Sequence, residues 1–126
     1  MNDTATGRAI LDELRPLHRE MRRAVPEVYR GFGALSEAAL GAGALDVKTK
    51  ELIALAIAVT ERCDGCMASH AEASARAGAT RDEVAEAIGV AVLMRGGPAT
   101  IYGPRAFEMF CEFVAERPHI TTEIAS

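Results

Sequence analysis

The sequence has no tryptophan, and aromatic residues make up only 5% of its 126 positions. A core that lacks large rings has to be filled by aliphatic side chains, chiefly alanine, leucine, isoleucine, valine and methionine. Alanine-rich cores suit closely packed helices, because small side chains let the backbones approach each other. A single domain of this length buries a modest core, so we expect further apolar surface to be buried in a homo-oligomer.

A long apolar run and an excess of positive charge are also missing. No apolar segment reaches the roughly 18 residues of a membrane span, and residues 1–7 lack the basic and apolar regions of a secretory signal. We therefore expect a cytoplasmic protein without a membrane partner. The net charge of −4 argues against nucleic acid as a partner. Four arginines between positions 15 and 23 alternate with Glu13 and Glu20, as on a solvated or interface helix face.

The sequence contains a succession of helical patterns separated by short breaks. Apolar residues recur at helical spacing between Thr6 and Arg23, and Pro26 suits the first position of a second helix. Glycines at positions 41 and 43 end that helix. Asp46 is a suitable N-cap for a third helix, whose side chains are so uniformly apolar that we expect it to be buried.

The second half of the chain continues the helical pattern. A fourth helix follows a break at residues 60–64, and Thr80 with Glu83 predicts a capping box at the start of a fifth. Gly96-Gly97-Pro98 predicts a turn, and the last helix is predicted to be interrupted at Gly103-Pro104. These elements predict an all-α fold, with one helical domain over residues 1–126.

The chemistry is concentrated at Cys63, Cys66 and His70. Their spacing places the three side chains along one face of a helix, and that face begins where the helix begins. The unpaired N–H groups and the dipole of a first helical turn stabilise a thiolate. His70, one turn from Cys66, supplies a proton acceptor. Two cysteines at this spacing can also close a disulfide, in which one thiol attacks and the other resolves.

The sequence leaves open which sulfur attacks first. The negative charge of Asp64 opposes a thiolate on the adjacent Cys63, which favours Cys66 as the more easily activated sulfur. The third cysteine, Cys111, lies among phenylalanines, and we interpret it as a core residue.

Glu51 is the fourth candidate, on a tertiary argument. It is a carboxylate one turn into the apolar third helix. If the third and fourth helices fold back antiparallel, Glu51 lies opposite residues near position 72, within one turn of His70. A carboxylate there would hold the imidazole tautomer and stabilise its protonated form, like the acid of a catalytic triad.

The stretch Lys48–His70 resembles the signature of the AhpD-like branch of the carboxymuconolactone decarboxylase superfamily. That signature is a Glu, a Cys-x-x-Cys twelve residues later, and a His after three further residues. In this sequence these positions are Glu51, Cys63, Cys66 and His70. The match is specific over residues 45–78, and the following helix fits loosely.

The resemblance implies an all-helical fold, a homotrimer or homohexamer, and reduction of a small hydroperoxide by the dithiol. It further implies a Glu/His proton relay to the reactive thiol, no bound cofactor, and an external dithiol reductant such as the dihydrolipoyl group of a lipoylated partner protein. One position departs from the pattern. Characterised peroxidases of the family have a further His immediately before the second Cys, where this chain has Gly65. The relay therefore lacks this histidine, which argues against efficient peroxidase activity.

Three alternatives remain at this point. The chain would be a thiol–disulfide oxidoreductase without peroxidase activity if Gly65 abolishes peroxide reduction. Cys63, Cys66 and His70, with Glu51 as a fourth ligand, could instead hold zinc in a metal-binding or structural oligomer. A non-redox enzyme acting on a small lactone or acid would leave both cysteines incidental.

Overall fold

Six α-helices follow one another in the computed structural model, which describes residues 6–117. No strand occurs within this range, so the predicted all-α fold is confirmed. The helices are α1 (Gly7–Ala24), α2 (Pro26–Leu40), α3 (Val47–Glu61), α4 (Asp64–Arg76), α5 (Arg81–Arg95) and α6 (Gly97–Glu116).

Most helix starts agree with the caps predicted from the sequence. The side chain of Asp46 accepts a backbone N–H at the start of α3, as predicted. Thr6 does the same at the start of α1, where the sequence had indicated a helix start but no cap. Thr80 and Glu83 form the reciprocal capping box of α5, and Pro26 occupies the first turn of α2, where its missing N–H costs nothing.

The predicted turn and interruption near α6 were wrong in two details. Gly96 alone makes the turn, with φ of 77°, and Gly97 and Pro98 already belong to α6. The helix then continues through Gly103 and Pro104. A Cβ atom on Gly103 would lie 2.7 Å from Cγ2 of Ile88, so this glycine lets α5 and α6 approach closely and does not end the helix.

The core forms around α4, which packs against α1, α3 and α6. Eight of its seventeen apolar side chains are alanine, which confirms the small-residue core expected from the composition. The bulkiest buried side chains are Phe110, Leu55, Met67, Val59 and Val84. The expectation that α3 is buried holds for its inner face only, because Ile53 and Ile57 on its outer face are 45% and 56% exposed.

Considerable apolar surface remains uncovered in the single chain. Helix α2 has no buried residue, and its Phe32 is 66% exposed. Helix α5 is apolar on both its inner and outer sides, and its outer residues Leu93 and Met94 are 80% and 76% exposed. A helix that is apolar on nearly all sides is ordinarily buried. None of the described helices is both long enough and apolar enough to cross a membrane.

Candidate functional site

The site is built on the hairpin formed by α3 and α4. Arg62 adopts the left-handed conformation at the end of α3, with φ of 55°, and Cys63 N–H bonds back to the carbonyl of Ala58 at 3.2 Å. This arrangement closes α3 in the manner of a C-terminal helix cap and turns the chain within two residues. Helix α4 therefore runs back along α3, as the sequence argument for Glu51 required.

Cys63 and Cys66 form a disulfide at the first turn of α4. Cys63 is the N-cap residue, and its Sγ accepts the backbone N–H of Cys66 at 3.3 Å. Cys66 is exposed, whereas Cys63 is half-buried. The helix N-terminus therefore stabilises negative charge on Cys63, and Cys66 is the more exposed residue of the pair.

Glu51 and His70 form a hydrogen-bonded pair across the hairpin. Glu51 Oε1 lies 2.7 Å from His70 Nδ1, and Glu51 is buried, with 6% of its surface exposed. The sequence argument placed Glu51 near position 72, and the structure brings it directly to His70. The neighbouring lysines have other partners, because Lys48 pairs with Glu83 and Lys50 donates to the carbonyl of Gly41. Glu51 is therefore available to the imidazole.

This pair fixes the chemistry that the imidazole can perform. An ionised Glu51 favours a proton on Nδ1 and leaves Nε2 as the proton-accepting atom. His70 follows Cys66 by one turn of the same helix, and its side chain is 27% exposed. The arrangement combines an exposed cysteine, a base on the next turn and a buried carboxylate that orients the base.

The close approach of α1 to the dithiol was missed by sequence reasoning. A Cβ atom on Gly65 would lie 2.8 Å from Cδ1 of Leu14 on α1. Leu14 therefore occupies the space where a larger side chain at position 65 would begin. The signal in the sequence was the glycine between the two cysteines, but a lone glycine does not reveal which neighbour approaches it.

A cluster of charged groups anchors α1 to the rest of the molecule. Arg8 donates to Glu72 at 2.7 Å and to Glu116 at 3.1 Å, and Glu116 followed by Glu72 raises the pKa of Arg8 through these hydrogen bonds. Glu112 accepts the backbone N–H of Gly7 at the start of α1 at 2.8 Å. These contacts fix α1 along α4, so that Leu14 lies against Gly65.

The zinc-site alternative receives no support from the described part of the chain. Within residues 6–117, no group of three or more histidine, cysteine or acidic side chains is arranged to hold a metal ion. The two candidate thiolate ligands are bonded to each other. Cys111 is free and packs against the hydrophobic core, as its sequence context indicated.

Comparison with known proteins places this architecture in a family. The carboxymuconolactone decarboxylase family matches the chain over residues 26–109. A curated relative, "Uncharacterized protein 4 in cox locus" of Paracoccus denitrificans, is 39% identical over 93 residues, which are 74% of this chain and 84% of that protein. Helix α1 precedes the matched family region.

Two solved structures share the fold. The apo crystal structure of lpg0406, a carboxymuconolactone decarboxylase family protein from Legionella pneumophila, is 42% identical with a TM-score of 0.83, covering 86% of this chain and 96% of that one. TM1620 from Thermotoga maritima, a family protein named as a candidate for the antioxidative response, is 28% identical with a TM-score of 0.70, covering 93% and 96%.

Proposed function

The chain belongs to the carboxymuconolactone decarboxylase family, and we propose that it is an AhpD-like, thiol-dependent oxidoreductase that cycles Cys63 and Cys66 between dithiol and disulfide. One observation supports this proposal above all others. A disulfide with one exposed cysteine residue, Cys66, lies at a helix N-terminus, and the buried Glu51 binds His70 one turn further along. A structural disulfide requires no base and no buried carboxylate beside it.

The oxidative half of the cycle begins with the reduced protein. His70, oriented by Glu51, accepts the proton of the Cys66 thiol. The Cys66 thiolate attacks the terminal oxygen of a small hydroperoxide, which breaks the O–O bond and gives a sulfenic acid on Cys66 and an alcohol. Cys63 then attacks the Cys66 sulfur, and water leaves as the disulfide closes. Glu51, His70, Cys66 and Cys63 are the proposed catalytic residues.

The reductive half returns two electrons and two protons to the protein. An external dithiol attacks the exposed Cys66 sulfur, and Cys63 leaves as a thiolate that the backbone N–H of Cys66 stabilises. The second thiol of the reductant closes its own disulfide and releases Cys66. We propose a dihydrolipoyl group on a partner protein as this dithiol and the cytoplasm as the compartment, where a disulfide is transient and catalytic.

The contact between Gly65 and Leu14 supports a second candidate function. A hydrocarbon side chain stands where the peroxidases of the family carry a histidine, so the relay has no proton donor at that position. Exchange with a partner disulfide depends less on a proton donor than peroxide cleavage does. Its leaving group is a thiolate, whereas the oxygen released from a peroxide takes up a proton. Thiol–disulfide exchange without peroxidase activity is therefore the alternative function.

We also propose that the protein works as a homo-oligomer, either a trimer or a hexamer. The uncovered outer faces of α2 and α5 are large and apolar, and monomers rarely leave such surface exposed. Leu93→Glu places a charge on the outer face of α5 and should dissociate the assembly in sedimentation equilibrium. Ala115→Glu introduces the same charge at an exposed position of α6, outside these two faces; it is the control and should leave the assembly intact.

The deciding experiment for the redox function is a thiol count after mild oxidation. The reduced protein receives less than one equivalent of an organic hydroperoxide, free thiols are trapped within seconds, and the products are mapped by mass spectrometry. A rapid Cys63–Cys66 disulfide with Cys111 still free supports the peroxidase function. If both thiols stay free with peroxide but form the Cys63–Cys66 disulfide with a small disulfide reagent, thiol–disulfide exchange is the function. If neither oxidant closes them, the redox proposal is wrong.

A further inference from the structure

The arginines of α1 alternate with acids in the sequence, but most of them lie on a different side of the helix from Glu13 and Glu20. The helix carries five arginines and three carboxylates in a chain whose net charge is −4. At 100° per residue, Glu13 and Glu20 fall on a different side of the helix from most of the arginines. A depression of about 500 Å³ opens on the basic side, and it is lined by Arg8, Arg15, His18, Arg19, Arg22 and Glu72.

Two of these arginines carry uncompensated charge. Arg8 is paired with carboxylates of α4 and α6, and Arg15 is paired with Asp12 at 3.2 Å. Arg19 and Arg22 have no ion-pair partner among the described residues, and both are exposed. They lie one turn apart on the same face. The depression therefore presents a local positive potential on a protein that is acidic elsewhere.

The position of this surface connects it with the disulfide. Helix α1 runs antiparallel to α4, because Arg8 bonds Glu72 and Leu14 lies against Gly65. Following α1 beyond Leu14 leads past the N-terminal end of α4, where the two cysteines lie. At 1.5 Å per residue, Arg19 and Arg22 are about 8 Å and about 12 Å further along the helix. Both arginines therefore lie toward the end of α4 that carries the exposed Cys66.

We propose that this basic face of α1 is the docking surface for the protein that reduces the Cys63–Cys66 disulfide, and that this partner is acidic around its dithiol. The inference rests on the proposed dithiol–disulfide cycle and identifies where its reductant binds. The partner's two thiols give up two electrons and two protons and close a disulfide, while the Cys63–Cys66 bond takes them up. Opposite charges bring the two proteins together and orient the attacking thiol toward Cys66.

A pair of synthetic dithiols tests the docking surface. One probe is a dihydrolipoyl-lysine peptide flanked by six glutamates, and the other has six glutamines in their place. Free dihydrolipoamide serves as the reductant without a docking group. We expect the oxidised protein to react about tenfold faster with the glutamate peptide than with the glutamine peptide at low salt. The difference should shrink in high salt, because the charges involved are exposed.

The matched variants are Arg19→Glu, Arg22→Glu and Arg23→Glu. All three change the net charge equally and lie in the second half of α1, but Arg23 is outside the depression. The first two should lose most of the preference for the glutamate peptide, and Arg23→Glu should keep it. All three should react with free dihydrolipoamide at the rate of the original protein, which shows that the disulfide itself is intact.

The outcomes separate the docking surface from the redox function. Normal reduction by dihydrolipoamide without a preference for the glutamate peptide, or an equal loss in Arg23→Glu, overturns the docking proposal and leaves the cycle standing. Failure of dihydrolipoamide to reduce the disulfide overturns the cycle, and the docking proposal falls with it. Stronger competition by hexathymidylate than by hexaglutamate would assign the face to nucleic acid and contradict an acidic protein partner.

Discussion

Replacing Glu51 by glutamine isolates the electrostatic contribution of the buried carboxylate. Glutamine keeps the shape of the side chain and can still accept a hydrogen bond from His70 Nδ1, but it cannot stabilise an imidazolium. A hydrogen bond to a charged group contributes about 1.5–3 kcal/mol, and about 1.4 kcal/mol corresponds to a factor of ten in rate. The rate at which Cys66 is alkylated at pH 7, which is proportional to its thiolate fraction, should therefore fall about tenfold to a hundredfold.

The assay measures alkylation of a single thiol as a function of pH. Cys63→Ser and Cys111→Ser leave Cys66 alone, and serine is a good N-cap in place of Cys63. Iodoacetamide then reports the thiolate fraction of Cys66 between about pH 5 and pH 9, a range that spans the ordinary pKa values of histidine and cysteine. The matched control is Glu61→Gln, at the exposed C-terminal end of the same helix.

The expected result is a slower reaction and a displaced pH profile in Glu51→Gln only. Thermal unfolding of both variants, followed by circular dichroism, shows that the fold survives. If the profiles of Glu51→Gln and Glu61→Gln coincide within a factor of two, Glu51 does not act on the dithiol through His70. The carboxylate would then be a structural partner of the imidazole, and the proposed relay would be wrong.

Three further predictions concern packing and pH. Gly65→His should lower the free energy of unfolding by about 1 kcal/mol, because the added Cβ meets Leu14, and combination with Leu14→Ala should recover most of that loss. Urea unfolding of the two single variants and the double variant measures the coupling energy. Additive effects of the two substitutions would contradict the contact. Ser74→Ala should stabilise the fold by about 1 kcal/mol, since the buried Ser74 hydroxyl has no hydrogen-bond partner in the described structure. Ser69→Ala is the control, because Ser69 is exposed on the same helix and its replacement changes only the helix propensity. The hydrogen bonds from Lys48 and from the backbone of Thr80 hold the pKa of Glu83 below its ordinary 4.5. The stability that the ionised Glu83 contributes is therefore present above about pH 4.5 and is lost as the pH falls through the lowered pKa. Glu83→Gln should reduce the fall of the urea midpoint between pH 5 and pH 3, and an unchanged fall would refute the linkage.

The helices and their starts could be predicted because their signals are local. The Asp46 cap, the Thr80 and Glu83 capping box and the proline of α2 each act within one turn of the residue that carries them. The meeting of Glu51 with His70 could also be anticipated, since an antiparallel hairpin follows from two helices and a short break. Only its register was uncertain, and the left-handed Arg62 sets that register.

The remaining features depend on contacts between distant segments. The sequence alone predicts that Gly103 breaks the helix, but this glycine instead lets α6 pack closely against Ile88 of α5. The same holds for Gly65, whose neighbour Leu14 lies 51 residues earlier in the chain. The exposure of α5 on its outer side has no local signature either, because buried and assembly-covered apolar residues look alike in the sequence.

In this protein the proposed catalytic residues come from neighbouring helices, whereas the residues proposed to control access to the disulfide come from a distant one. The four proposed catalytic residues lie within a segment of twenty residues, 51–70, so the proposed sulfur chemistry is encoded by α3, α4 and their turn. We propose that α1 controls what reaches the sulfur, because it contributes both Leu14 beside Gly65 and two exposed arginines, Arg19 and Arg22, that have no ion-pair partner within residues 6–117. Substitutions in α1 should therefore alter the choice of oxidant and reductant while leaving the alkylation profile of Cys66 unchanged.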